Sequence, residues 1–333
     1  MSHAVSLGGD VTYLKPDGRA GSRISDMKPY VRSILTAIAV SGLVVFFSIK
    51  VVAPSVPPVV GRPDVEEVRQ FTQSALPRLR LENADGLVRI STHAGTEVKG
   101  QAVVRAFLRG AAEEPLLREY VNGLVQVSEH EGTLVVVTEP SERPDGCELF
   151  VVYDVSVPSG TDVDIESNNG NVWVEAGCGR VQVKGRNTDI QVRRPQKDVV
   201  AESINGRITV YDAPDGGSLK TVNGNVYADV KGGRLEAATA NGNVVARVLG
   251  PEVAGAALTS QNGGVTLEMD EGCSATILAR TARGSVETEL PVDVAAGARH
   301  RGYLQGTVGT GGNAATITMD TLNGDISIAR SSS

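Results

Sequence analysis

One dipeptide returns along the C-terminal half of the chain at a nearly constant interval, and that interval limits the folds open to it. Asn-Gly-Asn-Val stands at Asn169-Gly170-Asn171-Val172, Asn223-Gly224-Asn225-Val226 and Asn241-Gly242-Asn243-Val244. Looser copies are Asn205-Gly206-Arg207-Ile208, Asn262-Gly263-Gly264-Val265, Arg283-Gly284-Ser285-Val286, Arg301-Gly302-Tyr303-Leu304 and Asn323-Gly324-Asp325-Ile326. Asn187-Thr188-Asp189-Ile190 fills the remaining gap without a glycine. The first four intervals are 18 residues and the later ones 21, 21, 18 and 22. A fixed period of this size marks a repeat architecture.

Asn-Gly tolerates positive φ at two successive residues, so each copy is expected to open on a tight corner. After the corner apolar residues alternate with polar ones, as in Val226, Ala228 and Val230, or Val244, Ala246 and Val248. That alternation describes a half-buried strand. A second turn such as Lys231-Gly232-Gly233 and another alternating strand complete the unit. One unit cannot bury its inward face alone, but stacked units share a narrow core. The expected fold is all-β: a parallel β-solenoid (β-helix) of about nine rungs over residues 162–330, behind a β-rich cap section at 78–161. A sandwich or barrel of hairpins is the alternative, since hairpins use the same dipeptide. It would not require a constant return to the same corner.

Composition agrees with thin layers. Apolar residues make up 41% of the chain but aromatics only 4%, with one Trp, five Phe and 38 Gly. The net charge of −7 and the lack of a Lys/Arg cluster in the C-terminal part argue against a nucleic-acid partner.

Residues 31–53 (VRSILTAIAVSGLVVFFSIKVVA) carry no charge from Ser33 to Ile49, enough to cross a bilayer as a helix if Lys50 snorkels. Lys15, Arg19, Arg23, Lys28 and Arg32 precede the stretch. The positive-inside rule then predicts a single-pass membrane protein with a cytoplasmic N-terminus and an extracytoplasmic C-terminal domain, periplasmic or at the cell surface. A cleaved signal peptide is the competing reading, against which stand the 30-residue leader and the Pro-rich exit. Residues 1–30 read as a disordered cytoplasmic tail, and 54–77 as a Pro-rich linker with a short helix. That helix is drawn on Val65, Val68, Phe71 and Ala75 behind an Asp64 cap. A second helix is expected over Glu113–Val121.

Chemistry-bearing clusters are sparse. His3, His93, His130 and His300 are not at metal-ligand spacing, and no nucleotide or hydrolase fingerprint is present. No cofactor, metal or small-molecule substrate is expected. Cys147, Cys178 and Cys273 read as small buried hydrophobes, with a Cys147–Cys178 disulfide as the alternative. Asp162, Asp164, Glu166, Glu175, Asp189 and Asp212 read as solubilising charge, although acids gathered on one face would suit a polysaccharide-cleaving enzyme. The repeated turn residues are Asn169, Gly170, Asn187, Asn205, Gly206, Asn223, Gly224, Asn241, Gly242, Asn262, Gly263, Asn323 and Gly324. Their asparagines are expected to form a structural ladder, each amide bonding its neighbours above and below; a calcium site would demand more carboxylates. Alternation sends Trp173 outward, to contact sugar or protein or to pack under the cap section.

The segment VPSGTDVDIESNNGNVWVEAG, with Val157-Pro158-Ser159-Gly160 and the Asn169 turn, resembles a bacterial domain-of-unknown-function family of β-helix proteins called "putative adhesins". Leu81-Glu82-Asn83, Asp85-Gly86 and Val88 extend the likeness, which runs from about Arg78 to Ile328. The resemblance implies the β-helix fold, and its members often carry an N-terminal membrane anchor. Its motifs are turn chemistry and imply little about function. The expected role is a non-enzymatic, membrane-tethered module for binding or scaffolding. It would touch lipid through residues 31–53 and a protein or polysaccharide on its faces or last rung. The alternatives are an accessory subunit of a larger complex and, behind it, a carbohydrate-active enzyme.

Overall fold

The computed structural model describes residues 12–14, 20–23, 44–47, 63–74, 76–108, 114–138, 145–309 and 315–331. The chain divides into two units, residues 1–44 and 45–333. In the first, β1 (Thr12–Leu14) and β2 (Ala20–Arg23) pair antiparallel, so strand stands inside the tail expected to be unstructured. The rest of that tail lies outside the described residues.

The predicted transmembrane helix is corrected. Among the described residues no helix is long and apolar enough to cross a membrane. Residues 31–43 and 48–53 lie outside the described residues. The described part of the span, Val44–Phe47, is a strand, β3. Its sequence Val-Val-Phe-Phe is β-branched and aromatic, which fits a pleated strand better than a helix. The single-pass localisation read from that helix falls with it.

Within the second unit, β4 (Val65–Ser74) stands where a short helix is expected from the sequence. Val65, Val68, Phe71 and Gln73 are buried, and the strand lies antiparallel to β6 (Glu97–Leu108) in an unbroken register from Val65 opposite Ala106 to Ser74 opposite Glu97. Ten ladder positions outweigh the weak helical spacing, because a single short helix gains little stability by itself. β5 (Arg78–His93) follows. The one helix expected and formed in this region, α1 (Glu114–Gly123), buries Leu117, Tyr120 and Val121, with Leu124 just beyond it. That is one helical face. β7 (Val125–His130) and β8 (Thr133–Thr138) form an antiparallel pair, and β9 (Cys147–Pro158) lies antiparallel to β6.

Beyond these come β10 (Asp162–Val174), β11 (Val181–Arg193), β12 (Val199–Asn205), β13 (Ile208–Ala213), β14 (Gly216–Asn223), β15 (Val226–Asn241) and β16 (Val244–Asn262). Strands β11, β12, β14, β15 and β13 pair edge to edge in a closed ring, every pair parallel. The long strands β10, β11, β15 and β16 bend through the Asn corners or second turns, and so contribute to more than one side. β5 pairs parallel with β10 and β10 with β11, each over nearly the whole strand.

The chain is all-β, but it is a closed parallel barrel with extra strands and not the multi-rung solenoid expected from the repeat. Three findings break the expected order. First, β5, assigned by sequence to the cap section, is itself part of the parallel array, with Asp85 opposite Asn169. Second, the last copies are not stacked in sequence order. β17 (Val265–Met269), β18 (Ala275–Thr281) and β19 (Val286–Thr288) are followed by β20 (Asp293–His300), β21 (Tyr303–Val308), β22 (Ala315–Asn323) and β23 (Ile326–Arg330). β22 inserts between β16 and β18, and β23 between β17 and β19. Third, the copy at Arg301-Gly302 is a turn joining β20 and β21, which run antiparallel beside β18. The physical reason is burial: Ile317, Met319, Ile326 and Ile328 are fully buried in a central position, where both strand edges are also paired.

The core is aliphatic and continuous. Val163, Ile165, Val172, Val174, Val181, Val183, Ile190 and Val192 are all inward and buried. Register makes this layered: Val226, Val244, Val265 and Ile326 oppose one another in succession. Slipping any strand by one residue would turn its whole apolar set outward.

Candidate binding face

The Asn corner is held by three parallel sets of hydrogen bonds. In the outermost, each asparagine amide donates to the one before it. Asn187 Nδ2 donates to Asn169 Oδ1 at 2.6 Å, Asn205 to Asn187 at 2.7 Å and Asn223 to Asn205 at 2.7 Å. Asn241 donates to Asn223 at 2.8 Å, Asn262 to Asn241 at 2.9 Å and Asn323 to Asn262 at 2.8 Å. Asn169 donates to the Asp85 carboxylate, so the file has one direction and ends on a charge. Such a charge-assisted acceptor is stronger than a neutral one.

A second set, which the Asn-Gly pattern does not announce, lies two residues before Asn205, Asn223, Asn241, Asn262 and Asn323. Buried hydroxyls donate to the main-chain carbonyl of the preceding corner: Ser203 to Thr188 at 2.9 Å, Thr221 to Gly206 at 3.0 Å and Thr239 to Gly224 at 2.8 Å. Ser260 donates to Gly242 at 2.9 Å and Thr321 to Gly263 at 2.9 Å. The signal was in the sequence as Ser or Thr at a fixed offset before Asn. The third set uses the residue two after the corner asparagine. Asp189 Oδ1 accepts from Arg207 N at 2.7 Å, Asn225 from Asn243 N at 2.9 Å and Asn243 from Gly264 N at 2.8 Å.

The glycines are explained by crowding more than by φ. No asparagine of the repeat has positive φ, nor do Gly206, Gly224 and Gly324, which corrects the double positive-φ corner expected. A Cβ on Gly224 would instead lie 2.1 Å from the Gly206 carbonyl oxygen, and one on Gly263 1.9 Å from that of Gly242. Gly170, Gly242 and Gly263, at φ 127°, 151° and 159°, are constrained in both ways.

The outward face after the corner gathers a different chemistry. By register, Arg89 opposes Trp173, Trp173 opposes Gln191, and Thr209 opposes Tyr227. The Arg89 guanidinium lies 5.4 Å from the Trp173 ring centroid, and that of Arg193 lies 5.6 Å from Tyr211. Tyr211 and Tyr227 are tilted neighbours, 5.6 Å apart. Arg247 Nη1 donates to the Tyr227 hydroxyl at 3.4 Å, Nη2 to Ser331 Oγ at 2.9 Å, and Nε lies 3.1 Å from Glu268. Beneath them Asp229 is only 6% exposed, 3.8 Å from Arg247. Burial pushes its carboxyl up, and burial likewise raises the Tyr227 hydroxyl, while the bond to Tyr227 raises Arg247. Trp173, weighed as a surface contact, is thus half-buried and outward, with Arg89 of β5 across its ring.

The remaining candidates are dispersed. Cys147, Cys178 and Cys273 are buried thiols, so the Cys147–Cys178 pair is not bridged. Burial pushes Cys178 up to about 12. Burial works against the charge of Asp162, yet the Arg180 N–H at 2.8 Å and the Lys197 ammonium at 3.1 Å hold its carboxyl below the usual range. Asp212 pairs with Lys231 at 2.7 Å, and Glu166 with Arg80 at 3.5 Å. His93 closes a surface turn through Gly95 and Glu97, and His300 stacks on Tyr303. His3 lies outside the described residues. Among the described residues no group of three or more His, Cys, Asp or Glu is placed to hold a metal ion.

No family model matches the chain, and no curated protein does. Solved structures do resemble it. A "putative adhesin" from Bacteroides fragilis aligns with 81% of this chain and 100% of its own at 11% identity and a TM-score of 0.46. A "putative adhesin" from Parabacteroides merdae covers 80% and 96% at 9% identity, TM-score 0.38. A "putative lipid binding protein" from Parabacteroides distasonis covers 80% and 97% at 9% identity, TM-score 0.37. Likeness at this level carries neither family membership nor function to this chain.

Proposed function

We propose that the chain is a non-enzymatic β-sheet binding module, and that its contact surface is the outward face carrying Arg89, Trp173, Arg193, Tyr211, Tyr227 and Arg247. One observation carries the reading. The chain has one Trp and seven Tyr, and three of these eight aromatics meet arginines on two neighbouring register lines of one outward face. Trp, Tyr and Arg are the side chains that dominate recognition energies, Trp and Tyr by burying much area on few torsions and Arg by its forked hydrogen bonding and stacking. A face that runs across several neighbouring strands suits an extended partner, a polysaccharide strand or a protein surface.

Trp173 supplies the assay, because tryptophan emission from this chain has a single source. Candidate polysaccharides and extracted proteins are titrated while that emission is followed. Binding is expected to shift it, and Tyr211→Ala with Tyr227→Ala to weaken affinity at least ten-fold, or about 1.4 kcal/mol. A partner bound with unchanged affinity by the double variant would place recognition elsewhere.

A second reading, a subunit of a larger assembly, rests on Ile204, Val222 and Leu322, which are 46%, 45% and 52% exposed. Each immediately precedes an Asn of the corner file. Affinity purification of the whole chain tests it; recovery without a stoichiometric partner rejects it.

A further inference from the structure

We propose that Asn323 is a site of spontaneous chemical modification, losing its side-chain amide to attack by the Gly324 main-chain nitrogen, while the fold protects the other Asn-Gly copies. Glycine is the residue that least obstructs such an attack, having no Cβ beside the nucleophilic nitrogen. The reaction is internal and needs only water. The Gly324 nitrogen gives up its proton and bonds to Asn323 Cγ. The Cγ–Nδ2 bond breaks, and Nδ2 leaves as ammonia. Water then opens the resulting cyclic imide at either carbonyl, yielding aspartate or its β-linked isomer. One water enters, one ammonia leaves, and nothing is oxidised or reduced.

Two conditions govern the rate: the glycine N–H must be unengaged, and the asparagine side chain must swing back along its own backbone. The inner copies fail both. Gly206 N donates to Asn223 O at 3.0 Å and Gly224 N to Asn241 O at 3.0 Å. Gly242 N donates to Asn262 O and Gly263 N to Asn323 O, both at 3.1 Å. The four preceding asparagines each donate one amide bond and accept another. Asn169 is held likewise, between Asp85 and Asn187, with Gly170 inside β10 between Gly86 and Thr188.

Asn323 ends the file. β22 and β23 are followed not by another asparagine but by the copy of Arg283, since Thr321 opposes Thr281 and Ile326 opposes Val286. Among the described residues the Asn323 side chain has one hydrogen bond, its donation to Asn262 at 2.8 Å. Gly324 has no asparagine carbonyl ahead of it of the kind that engages the four inner glycines. Swinging this side chain therefore costs one exposed hydrogen bond, where the inner ones cost two and the opening of a backbone bond besides. The exposed Arg283 at the facing register position favours the carboxylate that forms.

The product has a defined consequence. The amide file is polar and already ends on an acceptor at Asp85. A carboxylate at 323 has no N–H for Asn262 Oδ1, so acceptor meets acceptor there. Reversing every amide only moves the conflict to Asn169 and Asp85.

The test is incubation of the whole chain at mildly alkaline pH, followed by digestion and mass spectrometry of the peptide holding each Asn-Gly copy of the repeat. The peptide holding Asn323 is expected to convert several-fold faster than those holding Asn169, Asn205, Asn223, Asn241 and Asn262. In denaturant all six copies of the repeat are expected to convert at comparable rates, which isolates the protection due to the fold; Asn122-Gly123, exposed at the end of α1 and outside the repeat, serves as the unprotected reference. Asn323→Gln, with its longer side chain, is expected to abolish the fast conversion. Any inner copy converting as fast as Asn323 in the folded protein would overturn the proposal. So would a native rate at Asn323 no faster than those of the other repeat copies.

Discussion

Each corner glycine is fixed by the backbone of the copy beneath it. Replacing Gly224 with Ala puts a Cβ 2.1 Å from the Gly206 carbonyl oxygen and 2.7 Å from its carbon, with no flexible side chain to give way. The expected cost is about 1–3 kcal/mol, read as a lowered denaturant midpoint. Gly123 is the internal control. A Cβ there meets nothing within 4 Å, and its φ is not positive, so Gly123→Ala should leave the midpoint unchanged or raise it. Tyr153 supplies a pH signature at the same scale. Its hydroxyl bonds Thr138 at 2.7 Å inside the core, and burial pushes it up to about 12 from 10.0. The unfolded chain ionises first, so stability is whole below pH 10 and falls as pH rises from there toward 12. The slope is about 1.4 kcal/mol per pH unit. Melting curves of Tyr153→Phe should lose that part of the alkaline decline; an identical decline would mean the group does not report burial. Cys178, raised in the same way, should resist thiol reagents until the chain unfolds.

Between neighbouring strands, the hidden bonds outweigh the visible ones. The Asn file is exposed, and water replaces any amide bond it loses. Thr239, by contrast, is 4% exposed and donates to the Gly224 carbonyl at 2.8 Å. Thr239→Val keeps the shape and strands a buried acceptor, at an expected cost of about 1–3 kcal/mol. Asn241→Ala should cost less, although it removes two bonds. Chemical denaturation of the two variants decides the order, and a larger loss for Asn241→Ala would show that the amide file is the stronger tie. The sequence made the Asn positions conspicuous because they head each copy. The Ser and Thr positions sat two residues upstream, scattered among ordinary polar residues, and nothing local said that their hydroxyls turn inward. β4 departs from its helical spacing for a related reason: Val65, Val68 and Phe71 fit a helical stripe, and only the register with β6 makes the segment a strand.

Across the whole molecule, the C-terminal strands act as an interior layer. Had the copies stacked in sequence order, removing residues 315–333 would trim one end. Here β22 and β23 separate β16 and β17 from β18 and β19, so the deletion opens parallel ladders on both sides. The truncated chain should therefore lose cooperative melting and self-associate through its bared edges, as read by size-exclusion chromatography and thermal denaturation. A monomer that melts cooperatively would show that the two flanks can close on each other.

The repeat by itself determined that this chain is all-β, that its inward residues alternate, and that Asn recurs at a corner. Those are local consequences of a period of two within a period of 18. Only the tertiary structure decided which copies touch. Asn262 lies against Asn323 and not the copy at 283, β5 joins the array from outside the repeat, and five strands close on themselves. Strand pairing is a contest between edges far apart in the chain, settled by which arrangement buries the most apolar surface and leaves the fewest backbone groups unpaired. A sequence states what each strand offers; the winner of that contest is a property of all of them together.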